Sequence, residues 1–391
     1  MRMTLLRVVA DDLMPGVDAI VARLSGADIK VARHPGRTLT AADVAAADIL
    51  LVRSVTRVDA ALLQASPVRF FGTATIGIDH LDTRWLAGQG IAWSAAPGCN
   101  ARAVAEWVLA TLVRDGVTRG LPLSGRRLGI VGLGHVGRAL ARLALAAGLQ
   151  VTYCDPLLAA GPVPPDLAQL PRLNLDDLLA GSDVVSLHVP LTREGDAPTL
   201  GLMHADRLAR MRSGSLLINA SRGEVVPTQA LADALACGHL RAALDVWCDE
   251  PRPDAALVRA VGQGSPHIAG HSLEGKWRGT WQIVQALADH LGLSLQGTLA
   301  DVLPDAGRLT LQVPAAVSDD QRLADLLLQA VPLVRDDETF RAAMAEADPA
   351  AAFDRLRKHY PVRREFAAHR VSLAADDPLR PRLAALGFSL T

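Results

Sequence analysis

Cysteine is nearly absent from this chain. Its 391 residues include only Cys99, Cys154, Cys237 and Cys248, scattered without a metal-ligand spacing. That argues against a disulfide scaffold or a cysteine-bound metal, and it fits reduced thiols in a cytoplasmic protein. Surplus charge is missing too. Forty Lys and Arg against 41 Asp and Glu leave a formal charge of −1, which gives no general attraction to nucleic acid or to an anionic membrane. No apolar run approaches the roughly 20 residues of a membrane span. The apolar stretch near the N-terminus is too short for a signal peptide, and there is no internal repeat or low-complexity tract. What remains is ordinary for a soluble globular protein, with 50% hydrophobic and 21% charged residues. The length implies two or three domains.

The most informative stretch is Leu128–Gly137. Leu128–Val131 reads as the end of a buried parallel strand. Gly132, Gly134 and Gly137 form G-x-G-x-x-G with His135 and Val136 between the last two, and residues 138–147 continue with helical periodicity. A dinucleotide needs such an arrangement. The first glycine permits a tight turn, the second lets backbone approach the pyrophosphate, and the third lets helix pack closely on strand. The helix N-terminus then offers free N–H groups and a favourable dipole to the anion. Three glycines alone are a weak signal. Here a second apolar run, Leu149–Cys154, ends at Asp155, 18 residues after Gly137. A carboxylate there accepts hydrogen bonds from ribose hydroxyls and repels a 2′-phosphate, so NAD is expected as cofactor rather than NADP.

Before this motif, Leu5–Val9, Ile29–Ala32, Ile49–Val52, Val68–Gly72 and Ile91–Ser94 alternate with helical stretches, which implies a parallel sheet with helices on its faces. Two loops follow strand ends, Arg53–Arg57 and Thr73–Gly77. Their hydroxyls, N–H groups and arginines, Arg53 and Ser54 in one and Thr75 in the other, suit a carboxylate or phosphate, although capping of helices by Ser and Thr explains them equally well. Long helices are expected over 100–119 and 272–291. They flank the glycine-turn unit as a hinge pair between two lobes. From about residue 294 the pattern changes: a linker, a short strand over Leu309–Val313, helices over Asp319–Ala330 and Glu338–Ala345, then Phe353–Phe366 with five Lys and Arg. This basic run reads as a solvated face or as an anion site near a subunit boundary.

Three polar residues stand where strands of the second unit should end. Arg222 follows Ser215–Ile218, Glu250 follows Leu240–Leu244, and His267 lies in Ser265–Gly270. An arginine can hold a carboxylate through two parallel hydrogen bonds. A histidine can take a hydroxyl proton as hydride leaves the carbon. A carboxylate beside that histidine orients it and favours the imidazolium. Each residue has a bland alternative as an ion pair, a capping group or a satisfied core histidine. Together with an NAD motif they point to hydride transfer at a 2-hydroxy acid.

With these residues in place, the chain resembles the D-isomer-specific 2-hydroxy-acid dehydrogenases over residues 1 to about 292. Within that family it is similar to a subgroup that acts on a small phosphorylated hydroxy acid. That likeness is carried by Leu51–Thr56, Gly72–Thr75, Gly98–Ala101, His267–Gly270, Leu273–Lys276 and the basic Phe353–Phe366 run. The resemblance implies two doubly wound parallel α/β lobes, a Rossmann-type NAD domain over 101–270 and a flavodoxin-like substrate domain from 1–100 and 271–293. A small α+β C-terminal domain over 294–391 would serve homodimerisation. It also implies Arg222, Glu250 and His267 as the catalytic set. Asp155 would bind the adenosine ribose, Asp245 would lie near the nicotinamide, and Ala220, Ser221 and Gly270 would line the cofactor. Ser54 and Thr75 would touch substrate, and Arg53, Arg57, Lys276 and the C-terminal arginines are candidates for its phosphate. One position departs from the subgroup: His271 stands where a substrate-facing Tyr is expected. The competing readings are a phosphoglycerate- or glycerate-type dehydrogenase and an NAD(H)-sensing binding protein of the same fold.

Overall fold

The computed structural model describes residues 5–160, 163–304, 309–311 and 318–391. Its packing divides the chain into two compact units, residues 1–100 with 272–306 and residues 101–271 with 307–391.

The first unit holds a five-stranded sheet in the order Asp28–His34, Leu5–Asp11, Ile49–Val52, Phe70–Thr73, Ala92–Ser94, with every pairing parallel. All four side chains of Ile49–Val52 are buried, as expected for a strand covered on both faces. The order reverses between Leu5–Asp11 and Ile49–Val52. The crevice beyond their carboxyl ends is therefore the ligand-binding position of such a sheet. The helix Leu273–Leu291 packs its Ile283, Val284 and Leu287 into this core. Ser272 starts it by accepting the Gly275 amide at 2.9 Å, and Gly292 ends it at φ 66°. A short antiparallel pair, Leu24–Ser25 with Ser294–Leu295, completes the unit.

The second unit is built on a six-stranded parallel sheet in the order Gln263–Gly264, Leu240–Leu244, Ser215–Asn219, Val184–Leu187, Arg127–Val131, Gln150–Cys154. Beyond the last strand, Tyr153 makes an isolated parallel bridge with Arg172. The Pro-rich piece read as loop over 161–171 leads directly into this bridge; its residues 161 and 162 lie outside the described residues. Counting that bridge as the third strand, the sheet follows the 3-2-1-4-5-6 order of dinucleotide-binding folds, with Gln263–Gly264 as a seventh strand at the edge beyond Leu240–Leu244. The helix Ala101–Thr118 is apolar almost all round and is buried accordingly, with Trp107 at its centre.

Residues 318–391 share the core of this second unit. Leu323, Leu326 and Leu327 of the helix Asp319–Ala330 join Leu109, Leu112 and Leu140. Phe340 and Phe353 join Trp247 and Leu257. The helix expected over 338–345 runs over Leu333–Met344, starting directly after Pro332, which suits a helix N-terminus because it lacks an N–H. A parallel three-stranded sheet, Leu309–Leu311, His369–Val371, Ser389–Leu390, closes the chain. Residues 312 and 313 of the strand expected over 309–313 lie outside the described residues, as do residues 305–307 at the end of the expected linker. Among the described residues no helix is long and apolar enough to cross a membrane.

Candidate active site

The glycine turn separates the three glycine roles by geometry. Gly132 sits at φ +92°, and a Cβ there would lie 2.5 Å from the His188 carbonyl oxygen. A Cβ on Gly137 would lie 2.1 Å from the Gly132 carbonyl oxygen, so helix and strand could not approach. Gly134 is different. It is exposed, precedes the helix His135–Ala146, and has no protein atom within 4 Å of its would-be Cβ. Space kept open at a helix N-terminus fits a pyrophosphate. His135 is exposed there and Val136 is half-buried.

Asp155 ties the second strand to this turn. Its Oδ2 accepts the Leu133 amide at 2.8 Å, and its Oδ1 accepts the Leu157 and Leu158 amides, each at 3.1 Å. A carboxylate has about four lone-pair sites, so a partly exposed Asp155 retains acceptor capacity for a ribose hydroxyl. The residues present fit NAD. The loop after Val184–Leu187 was not singled out from sequence. Its His188 carbonyl packs against Gly132, and its imidazole, 2.9 Å from Ser186 Oγ, is pushed down to about 3 by burial. The only signal for it was a strand running into His188-Val-Pro190.

Beyond Ser215–Asn219, the Asn219 side chain shapes the next turn. Its Oδ1 accepts the Ser221 amide at 3.1 Å and the Ser221 hydroxyl at 2.8 Å, while its Nδ2 donates to the Arg222 carbonyl at 2.9 Å. Ser221 is buried and Ala220 half-buried. Arg222 Nη1 donates to the Ser221 carbonyl at 2.8 Å. A Cβ on Gly223 would lie 2.0 Å from the Trp247 carbonyl carbon, so only glycine lets the Arg222 turn press against the Trp247–Glu250 turn. The structure thus brings these two strand ends together.

Asp245 ends the strand Leu240–Leu244 and is 1% exposed. Its Oδ1 accepts the Ser265 hydroxyl at 2.6 Å and the Ile268 amide at 2.7 Å, and its Oδ2 accepts the Ala269 amide at 2.9 Å. Its main-chain oxygen takes the His267 amide at 2.7 Å. Burial raises its proton affinity, against the opposing pull of His267 and these hydrogen bonds. The carboxylate thus spends its contacts on the loop that carries His267 and leads on to Gly270. His267 itself has φ +57°, a left-handed conformation that costs a non-glycine residue about 1–3 kcal/mol and recurs at functional sites. His267 Nδ1 lies 2.8 Å from Glu250 Oε2. Glu250 Oε1 accepts the Trp247 amide at 3.0 Å. Burial works to raise the Glu250 carboxyl, but the His267 charge and hydrogen bond, the Trp247 amide and the Arg357 charge together hold it below the ordinary value. An ionised carboxylate on Nδ1 leaves Nε2 as the ring nitrogen for proton transfer.

In the first unit, Arg53 lies at the reversal of strand order. Its Nη2 reaches Asp11 Oδ1 at 3.0 Å, and the Asp11 side chain is fully buried. Sequence reading had missed Asp11; an acid at the end of the first strand was its signal. Ser54 is exposed beside this pair. Thr75 Oγ1 lies 2.8 Å from Thr73 Oγ1, which lies 2.9 Å from His80 Nε2. Arg57 is exposed and bonded to Asp59 at 2.9 Å, and Lys276 is exposed. In the second unit, His271 meets the edge of the Tyr360 ring at 5.9 Å between centroids. Among the described residues no cluster of acids, histidines and cysteines could hold a metal ion.

Residues 100–269 match the family model described as D-isomer specific 2-hydroxyacid dehydrogenase, NAD binding domain, and residues 302–387 match a domain of unknown function. The chain is 44% identical over 391 residues to the erythronate-4-phosphate dehydrogenase of Pseudomonas aeruginosa, covering 98% of this chain and 100% of that one. It is 43% identical to the enzyme of the same name from Cellvibrio japonicus, covering 98% of this chain and 99% of that one. Among solved structures, the TT0316 protein of Thermus thermophilus superposes with a TM-score of 0.61 at 32% identity, over 73% of this chain and 97% of that one. The D-lactate dehydrogenase of Aquifex aeolicus, complexed with NAD and lactic acid, shares the fold at a TM-score of 0.59 and 24% identity, over 74% and 100%.

Proposed function

The chain belongs to the D-isomer-specific 2-hydroxyacid dehydrogenases, in the branch of the erythronate-4-phosphate dehydrogenases, and from that premise we propose that it oxidises C2 of 4-phospho-D-erythronate. The product is (R)-3-hydroxy-2-oxo-4-phosphooxybutanoate, on a route to pyridoxine 5′-phosphate. The observation that carries this reading is the 2.8 Å pair of His267 and Glu250 on a turn pressed against that of Arg222, in an NAD-binding sheet.

NAD, when bound, supplies the hydride acceptor. The work of this chain is proton transfer, orientation and charge. Nε2 of His267 takes the C2 hydroxyl proton as hydride leaves C2, and the C–O bond becomes a carbonyl. Glu250 stabilises the imidazolium so formed. Arg222 holds the substrate carboxylate and the oxygen on which negative charge develops. Gly132, Gly134, His135, Val136 and Gly137 cradle the pyrophosphate, Asp155 takes the ribose, and Ala220, Ser221, Asp245 and Gly270 line the nicotinamide end. Ser54, Thr75, Arg53 and His271 contact the substrate. In this reading residues 1–100 and 271–293 form the substrate domain, 101–270 the NAD domain, and 294–391 the domain that joins two copies in a cytoplasmic homodimer.

The test is NADH formation with 4-phosphoerythronate, 3-phosphoglycerate and D-glycerate offered separately. A preference for the first supports the assignment, and a preference for either of the others overturns the substrate. Tight NADH binding with no turnover on any of the three would mark a binding protein instead. Light scattering on the full chain decides the dimer.

A further inference from the structure

The two loops of the acid–base pair leave the edge of the second sheet with little sheet to lean on. Gln263–Gly264 is an edge strand of two residues that, among the described residues, pairs with Leu240–Leu244 alone. Its outward Gly264 amide needs a partner. That amide, and the Gln263 side chain beside it, find partners in the C-terminal segment. Asp337 Oδ1 accepts the Gly264 amide at 2.7 Å, and Gln263 Nε2 donates to the Leu333 carbonyl at 3.2 Å. Three residues beyond Gly264 comes His267, whose left-handed backbone must be held from outside to persist. From inside the sheet it is held by Asp245. From the other side Arg363, 4% exposed, donates through Nη2 to the Ala269 carbonyl and, at 3.2 Å, to the Ala103 carbonyl at the start of the helix Ala101–Thr118. Tyr360 sets its ring edge against His271 and donates its hydroxyl to Asp336 at 2.6 Å.

The Glu250 loop is gripped by the same segment. Trp247 gives its amide to Glu250 and its indole N–H to the Ser265 carbonyl at 2.9 Å, so this one residue joins both loops. Its ring packs against Phe340, 5.2 Å between centroids, and Phe340 also touches the place where a Gly264 Cβ would stand, at 3.0 Å. Thus Phe340, Asp337, Tyr360 and Arg363 reach four points on the two loops and leave the glycine turn alone.

We propose that residues 333–366, in the stretch whose family model is a domain of unknown function, act as a clamp that fixes the Glu250 and His267 loops relative to each other, with Arg363 as the central positioning residue. The proposal rests on the roles given to Glu250 and His267 above. It assigns these residues no contact with substrate.

The test uses the full chain and two variants, Arg363→Lys and Phe340→Leu. Lysine keeps the charge, but its nitrogen ends one bond short of the Nη2 that serves both carbonyls, and leucine keeps an apolar side chain beneath Trp247. In both, kcat is expected to fall by about tenfold to a hundredfold, the scale of a small misplacement of reacting groups. The acid limb of the kcat/KM profile should move while NAD affinity stays within about twofold. Native-state amide exchange should quicken over 264–271 and stay slow over 127–146. Exchange needs no substrate, so a wrong substrate assignment leaves this readout intact. Wild-type exchange over 264–271 in both variants, or a kcat loss that merely follows a falling melting temperature, would overturn the clamp. If Arg363→Lys does not fold, Phe340→Leu decides by the same readouts.

Discussion

Nδ1 of His267 faces Oε2 of Glu250 at 2.8 Å, while the other Glu250 oxygen is pinned by the Trp247 amide at 3.0 Å. The carboxylate therefore cannot turn away from the imidazole without breaking a second bond. The pair fixes the orientation of the ring and leaves one nitrogen for chemistry.

Glu250→Gln tests that pair. The amide keeps the shape but lacks the charge that stabilises an imidazolium, so kcat should drop by about a hundredfold or more. The pH dependence of stability should change as well. The folded chain holds Glu250 below its ordinary value, so it binds this proton less readily than the unfolded chain does. Its stabilising contribution is present above the ordinary glutamate range and is lost as pH falls through the folded value. Acid unfolding should be steeper in the wild type than in Glu250→Gln. Equal slopes, together with undiminished turnover, would remove Glu250 from the mechanism.

Arg222→Ala removes the group assigned to the substrate carboxylate. Turnover should fall by about a hundredfold to a thousandfold, while NAD affinity measured by fluorescence titration persists, because Arg222 lies on a different strand end from the glycine turn. Arg222→Lys should recover little, since an ammonium cannot form two parallel hydrogen bonds. Normal turnover in Arg222→Ala would refute the assignment.

Features that depend on neighbours along the chain were legible in the sequence. Ile49–Val52 is an unbroken apolar run and forms a strand with those limits, and Ser215–Ile218, carried by Leu216, Leu217 and Ile218, forms a strand that runs one residue further to Asn219. The glycine turn was legible because each glycine answers a local backbone demand. Contacts made across strands were not. Nothing local announces that Asp11 meets Arg53, since their meeting depends on which strands pair. Glu250 and His267 are 17 residues apart and were linked by their places at strand ends and by the chemistry they share, not through spacing. Arg363 was read within a basic run as a solvated face or an anion site. It is buried against two main-chain carbonyls, and composition carries no sign of that.

Glu106 provides a second pH test, remote from the acid–base pair. It is 1% exposed on the helix Ala101–Thr118, and its Oε1 accepts Arg102 Nε at 2.6 Å and the Phe366 amide at 2.9 Å. Burial, aided by the Glu365 charge and opposed by Arg102, pushes it up from 4.5 to about 7. The folded chain therefore binds this proton more tightly than the unfolded chain. The associated stability is fully present below about 4.5 and is lost as pH rises through about 7. Melting temperatures of the wild type should fall over that window relative to those of Glu106→Gln. Parallel curves for the two proteins would show that Glu106 does not titrate there.

The glycine turn separates folding from binding in a single pair of variants. Gly137→Ala places a methyl group 2.1 Å from the Gly132 carbonyl oxygen. Backbone cannot yield as a flexible side chain would, so helix and strand must separate and the melting temperature should drop sharply. Gly134→Ala meets no protein atom within 4 Å, and its φ of −73° is open to alanine. The expected stability loss is under about 1 kcal/mol, from the poorer helix cap. NAD affinity should nevertheless fall by tenfold or more, because the methyl group occupies the place where pyrophosphate approaches the backbone. Calorimetry and cofactor titration on both variants read the two effects apart. A Gly134→Ala variant that binds NAD as well as the wild type would show that the open space at this helix N-terminus is not the phosphate site.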